Sequence, residues 1–381
     1  MPQPIYLDHA ATTPLDPRVL DSMQPYLNKR FGNPSSIYRL GREARRGLDE
    51  ARQTVASILN ASPQEIVFTS SGTEADNLAI KGVAEAMRQQ GGGQHIISSA
   101  IEHHAVLHTC EYLETVGFEV TYLPVDGKGV IQPKVLTQAI RPDTVLITIM
   151  AANNEIGTIE PLDELVRIAH EHGVYFHTDA VQAGGYLPVD VETLGVDLLS
   201  LSAHKIYGPK GAGVLYVRRG VPLVPLVHGG GQERGRRSST ENVAGIVGLA
   251  EALRLAQQEQ ETSSAHCLAL REQLIEGILS RIPGAQLNGH RTQRLPNNAH
   301  FCFAGISGEA ILVKLDQLGI CASSGSACNV GVLEPSHVLT ALGVPAELAL
   351  SALRLSLGRG NTVEEIEYVL EQLPGIIAQL R

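Results

Sequence analysis

Between about residues 64 and 220, short apolar runs alternate with stretches whose apolar residues recur at helical spacing. The runs at 65–69, 95–98, 145–149, 174–177 and 198–201 predict strands, and 73–90, 104–116 and 161–172 predict helices. This alternation predicts an α/β fold, a mostly parallel sheet covered by helices on both faces. Ligands in such sheets bind beyond the carboxyl ends of the strands. Thr73, His103, Asn154, Asp179, Ser202 and Lys205 all fall there. Further on, helices are predicted at 241–260 and 265–281. A smaller α+β unit then follows: strand 299–303, helix 307–318, helix 336–343, strand 352–357 and helix 362–379. Thr362 and Glu365 make a capping box for the last helix, and 91–93 reads as a glycine turn after a helix.

At 381 residues the chain exceeds the roughly 250–300 at which a single core stops growing, so two domains are expected. Its net charge of −10 disfavours general nucleic-acid binding, which needs a basic surface. The cluster Arg234, Arg236 and Arg237 reads as a solvated face. The opening residues carry no secretory pattern, and no apolar run approaches the ~18–20 residues of a membrane span. Five scattered cysteines give no disulfide framework and suit a reducing compartment, so a cytoplasmic protein is expected.

The run 198–205 changes the picture most, because an apolar strand leads straight into Ser202, His204 and Lys205. A strongly hydrated lysine at the end of a buried strand calls for a reason. An amine there can form a Schiff base with an aldehyde, while the hydroxyl and imidazole bind that aldehyde's phosphate; pyridoxal phosphate carries both groups. A second strand ends on Asp179, and such a carboxylate keeps a pyridine nitrogen protonated as an electron sink. Taken singly, Lys205 also reads as a solvated strand end and Asp179 as a turn cap. The segment 69–77 joins a strand to a helix, and the free N–H groups beside Gly72 and Thr73 suit a phosphate or an ordinary N-cap. No Walker A loop and no GxGxxG after a strand is present.

His103 follows a strand, where its ring could stack on a flat cofactor. With His104 and His108 it makes no metal set, since His103 and His104 face differently and no cysteine or second acid completes one; no metal is expected. His170 and His172 read as exposed. Cys110 and Cys302 read as inert core residues and Cys321 as structural, while Cys267, near a predicted helix start, carries no signal. Cys328 differs, because the small residues of 323–331 present a thiol rather than bury it. An ordinary thiol is only about 3% thiolate at pH 7, so a nucleophilic role requires activation.

Together these segments resemble the cysteine desulfurase family in its NifS and IscS branch, within the fold-type I pyridoxal phosphate enzymes. The resemblance runs from 6–13, through 31–36, 153–157, 202–211, 228–233 and 324–328, to 353–359. It implies a large cofactor domain over 14–257 with a mostly parallel seven-stranded sheet, and a small domain from 1–13 and 258–381. Lys205 would be the Schiff-base lysine, Asp179 would hold the ring nitrogen and His103 would stack on the ring. Asn154 and Gln182 would contact the phenolic side, and Gly72, Thr73, Ser202 and His204 the phosphate. Thr240 would arrive from the neighbouring subunit of a homodimer. Arg354 would grip the carboxylate of L-cysteine, as the alternation of Leu353, Leu355 and Leu357 against Arg354 and Ser356 allows.

The implied chemistry passes the sulfur of L-cysteine to Cys328 as a persulfide, leaves alanine, and hands the sulfur on, often to an iron–sulfur cluster scaffold. Lys205 would move the Cα proton and His103 would shuttle another. The spacing from Cys328 to Arg354 resembles the long-loop branch of the family. Two departures stand out: Asn329-Val330 follows the cysteine where many relatives have small residues, and the chain stops at Arg381 where some carry a docking tail. A selenocysteine lyase or an aminotransferase of the same fold would need Lys205 and Asp179 without Cys328. A non-catalytic assembly partner would show a damaged site.

Overall fold

The computed structural model describes residues 4–325 and 334–381. Seven strands form the large sheet, in the order Ile66–Thr69, Gly213–Val217, Leu198–Ser202, Tyr175–Asp179, Thr144–Thr148, His95–Ser99 and Glu119–Leu123. Every pairing is parallel except the two made by Gly213–Val217, which runs against both neighbours. The carboxyl ends of the other six strands therefore share one edge. The five predicted strands fall within a residue or two of those observed. Gly213–Val217 and the half-exposed edge strand Glu119–Leu123 were not predicted.

Helices cover both faces of this sheet, so its central strands are buried throughout. One core packs Phe176, Leu199, Leu201 and Tyr216 against Arg39–Leu59 and the start of Val243–Arg281. A second core, on the opposite face, packs Ile96, Leu146, Leu198 and Leu215 against Gly72–Gln89 and His104–Thr115. A separate core belongs to the carboxyl-terminal unit. There the antiparallel sheet Leu353–Ser356, Asn298–Phe303, Ala285–Leu287 packs on Val363–Leu380 and the far end of Val243–Arg281. The chain's first strand, Ile5–Tyr6, pairs with Ile320–Cys321, and Leu7 lies in this same core.

The helices predicted at 241–260 and 265–281 are one 39-residue helix, Val243–Arg281. Its buried residues stop at Leu255 in one core and resume at Cys267 in the other. The polar stretch between them bridges two cores, and that loss of apolar period made one helix read as two. The division expected at 257/258 falls inside this helix. Cys267 lies in its middle, fully buried, not near a helix start. The capping box forms as expected, with the Glu365 N–H donating to Thr362 Oγ1 at 3.3 Å and the Thr362 N–H to Glu365 Oε2 at 3.1 Å. Among the described residues, no helix is long and apolar enough to cross a membrane.

Candidate active site

A cavity of about 380 Å³ opens where the carboxyl edge of the large sheet meets the carboxyl-terminal unit. Gly72, Thr73, His103, Asn154, Asp179, Gln182, Ser202, His204, Lys205 and Arg354 all line it. Thr240 does not; it is exposed on the segment after Arg237. Cys328 lies outside the described residues.

Lys205 owes its position to a break in its strand. Leu198–Ser202 is wholly buried, and the chain then tightens into the 3₁₀ turn Ala203–Lys205. The Lys205 Nζ donates to the carbonyls of Ala10 at 2.6 Å and Ala11 at 2.7 Å. Burial pulls its pKa down to about 8, and Arg354 adds to the fall, while Asp179 and Asp8 oppose it. The amine therefore stays mostly protonated at pH 7 but keeps a neutral fraction of about 10%, far more than an ordinary lysine has.

Asp179 ends the neighbouring strand, 6% exposed. One of its oxygens accepts the Val181 N–H at 2.9 Å, so it caps a turn and still presents a carboxyl to the cavity. Burial raises its pKa, and that of Asp76 behind it still further. Two carboxyls this deeply buried do not both ionise, and the larger rise leaves the proton on Asp76. His177 lies 3.7 Å from Asp76, held between the Thr148 and Ser200 hydroxyls at 2.8 and 3.0 Å. Desolvation lowers its pKa to about 3, so it brings no charge to the pair.

The helix Gly72–Gln89 starts at the rim of the cavity. Ser71 caps it by accepting the Glu74 N–H at 3.1 Å, which leaves the earlier N–H groups free for an anion. A Cβ on Gly72 would sit 2.7 Å from Val181 Cγ2, so only glycine permits this close packing. Glu74 in turn binds Arg237 at 2.7 Å, and the buried pair Arg52–Glu233, at 2.6 Å, holds the same segment. The expectation of a solvated arginine face holds for the exposed Arg234 and fails for the half-buried Arg237. Arg237 is ion-paired, and Arg234 and Arg236 reach the carbonyls of Pro63 and Gln64.

His103 caps the helix His104–Thr115, its Nδ1 accepting the Ala105 N–H at 3.1 Å. That bond puts the ring proton on Nε2. The ring is accessible from the cavity yet crowded behind, and desolvation, with Lys205 next in weight, depresses its pKa to about 4. His204 is likewise held neutral, chiefly by burial, and contacts the Thr12 hydroxyl at 3.1 Å. Gln182 donates to the Ala10 carbonyl at 3.0 Å.

Arg354 reaches in from the other unit while Leu353 and Leu355 fill the core beneath it. It pairs with Asp8 at 2.8 Å and donates to the Asn154 carbonyl at 3.0 Å, and its buried Nε has no partner among the described residues. A guanidinium aimed this way suits a small carboxylate.

These groups fit pyridoxal phosphate: an amine of lowered pKa for the aldehyde, a buried carboxyl for the ring nitrogen, and a capped helix start for the phosphate. Sequence reasoning missed the Ala10 and Ala11 carbonyls, Asp76, Glu155 and His337, all of which touch the cavity. Asp76 and Glu155 stood inside segments already singled out. His337 gave no local signal, since only tertiary packing brings it here.

The Aminotransferase class-V family profile matches residues 5–369. The chain is 57% identical to the "Cysteine desulfurase IscS" of Methanosarcina thermophila, over 99% of this chain and 93% of that one. It is 53% identical to the protein of the same name from Dictyoglomus turgidum, over 100% and 96%. A solved structure titled "NIFS-LIKE PROTEIN" superposes with a TM-score of 0.93 at 42% identity, over 99% of this chain and all of that one. With this cavity and these likenesses along its whole length, the chain belongs to the class-V aminotransferase family, among its cysteine desulfurases.

Proposed function

We propose that this protein is a pyridoxal phosphate-dependent cysteine desulfurase that moves the sulfur of L-cysteine onto Cys328. The observation that carries the reading is one cavity lined by a lysine of lowered pKa, a buried carboxyl and an arginine reaching over from the other unit. The cofactor, when bound, supplies the electron sink. Arg354, braced by Asp8, binds and orients the carboxylate of L-cysteine. Lys205 takes and returns a proton, a task suited to an amine with a pKa of about 8. Asp179 holds the negative charge opposite a ring nitrogen, because Asp76 keeps the proton of the pair. His103, neutral with its proton on Nε2, carries a proton on the far side. In the net reaction, L-cysteine and the Cys328 thiol give L-alanine and a Cys328 persulfide. The substrate's C–S bond breaks, an S–S bond forms, and no outside oxidant or reductant is needed.

The same reading includes a homodimer in which the partner copy supplies its Thr240, since this chain's own Thr240 stands clear of its cavity. It includes a large unit over 14–257 and a small one over 1–13 and 258–381, a cytoplasmic location, and onward transfer of sulfur to a protein acceptor such as an iron–sulfur scaffold. The test is to load the purified protein with pyridoxal phosphate, add L-cysteine, and measure alanine and protein-bound persulfide. Equal amounts of both are expected, and Cys328→Ser should still bind L-cysteine yet make neither. Alanine formation by Cys328→Ser at the parent rate would overturn the assignment.

A further inference from the structure

Glu155 is the neighbour of Asn154, faces the cavity, and is 3% exposed. Its carboxyl meets no cation at hydrogen-bonding distance among the described residues. Ser336 Oγ donates to its Oε2 at 2.5 Å, and burial pushes its pKa above the usual range. The same Ser336 hydroxyl accepts the N–H groups of Val338 and Leu339 as the cap of the helix His337–Ala341. The next residue, His337, donates through Nε2 to the carbonyl of Glu102, immediately before His103.

Beside Glu155 in the cavity lining stands Gly325, at a φ of +95°. A Cβ there would lie 3.4 Å from Glu155 Cβ and 3.3 Å from His300 Nε2. His300 also contacts the carbonyl of Ser324 at 3.3 Å, and Ser323 exchanges backbone hydrogen bonds with Arg354. Residues 325 and 336 are thus brought to one buried side chain from opposite directions along the chain. Between them in sequence lies Cys328.

We propose that Glu155 is a positioning residue: through Ser336 it anchors the stem that follows the Cys328 segment to the loop that carries Asn154, with Gly325 of the preceding stem packed close beside it. The role rests on the desulfurase reading for its catalytic meaning, but the anchoring itself does not. Removing the Ser336 hydroxyl frees one stem from the rim while the contacts of Lys205, Asp179 and Arg354 stay as they are. A change confined to the approach of Cys328 follows. The serine also caps a helix, so the test must separate capping from anchoring. Threonine keeps both the cap and the donor. Asparagine keeps the cap and offers an amide donor. Alanine has neither, and Glu155→Ala removes the acceptor while leaving the cap intact.

The experiment measures, in the cofactor-loaded full chain, the rate at which iodoacetamide labels Cys328, read by peptide mass spectrometry, beside the rate of alanine formation. Ser336→Ala and Glu155→Ala should each change Cys328 labelling by about three- to tenfold, roughly the worth of one buried hydrogen bond. They should lower kcat for alanine while the KM for L-cysteine stays within about twofold, and Ser336→Thr should restore both. Labelling and kcat at parent values in Ser336→Ala would overturn the proposal. So would a defect in Ser336→Ala with none in Glu155→Ala, since that is the signature of capping alone. Should Glu155→Ala fail to fold, Glu155→Met takes its place: it keeps the bulk of the side chain but cannot accept from Ser336, so the same change in labelling is expected. A parent protein that makes no alanine would sink the desulfurase reading, and the labelling comparison would still decide the anchor.

Discussion

The depressed pKa of Lys205 makes a prediction that needs no turnover. Only the neutral amine attacks an aldehyde, so the rate at which apoprotein takes up pyridoxal phosphate follows the neutral fraction of Lys205. With a pKa of about 8 that fraction is about 10% at pH 7. An ordinary lysine at 10.5 would be only about 0.03% neutral, roughly 300-fold less. Below pH 8 the rate should rise about tenfold per pH unit, and above pH 8 it should level off. The neighbours set the direction of further shifts. Arg354 lowers the Lys205 pKa, so Arg354→Gln should move the plateau to higher pH; Asp8 raises it, so Asp8→Asn should move the plateau lower. His103 and His204, with pKa values of about 4, do not titrate in this window. The assay is stopped-flow absorbance on stripped apoprotein between pH 7 and 10, as one exponential phase per trace. A rate still climbing at pH 10 would show that burial does not activate Lys205, and the reasoning would fail.

Glu233→Ala leaves the buried Arg52 without its carboxylate and the Phe68 N–H without its acceptor, a loss of about 3–5 kcal/mol that chemical denaturation would report; an unchanged midpoint would refute it. If Thr240 serves the partner's cavity, mixing Thr240→Ala with Lys205→Ala subunits should restore some activity, because one of the two sites then carries neither lesion. No gain over the better parent, after subunit exchange has been verified, would mean that each site is self-contained.

What the sequence determined by itself was the local chemistry and the element types. The apolar period marked the five strands whose ends carry Asp179, Lys205 and their neighbours, because strands buried on both faces leave nearly continuous apolar runs. Elements with a weaker contrast escaped. Glu119–Leu123 is half exposed at a sheet edge, and the polar middle of Val243–Arg281 lies between two cores. The residue types at 72–73, 103, 179, 202–205 and 354 could be named for a phosphate-bearing aldehyde and a carboxylate substrate, since each function demands a particular side chain. Tertiary structure alone decided their state. The pKa of Lys205 falls because neighbouring elements exclude water from it, and the proton of the buried carboxyl pair settles on Asp76 because the Val181 N–H and Lys205 favour the charge on Asp179 while Glu102 disfavours it on Asp76. Tertiary packing also brought Ala10, Glu155 and His337 to the cavity wall, and Ser336 onto Glu155. Their partners are distant along the chain, so no local pattern in the sequence could have placed them there.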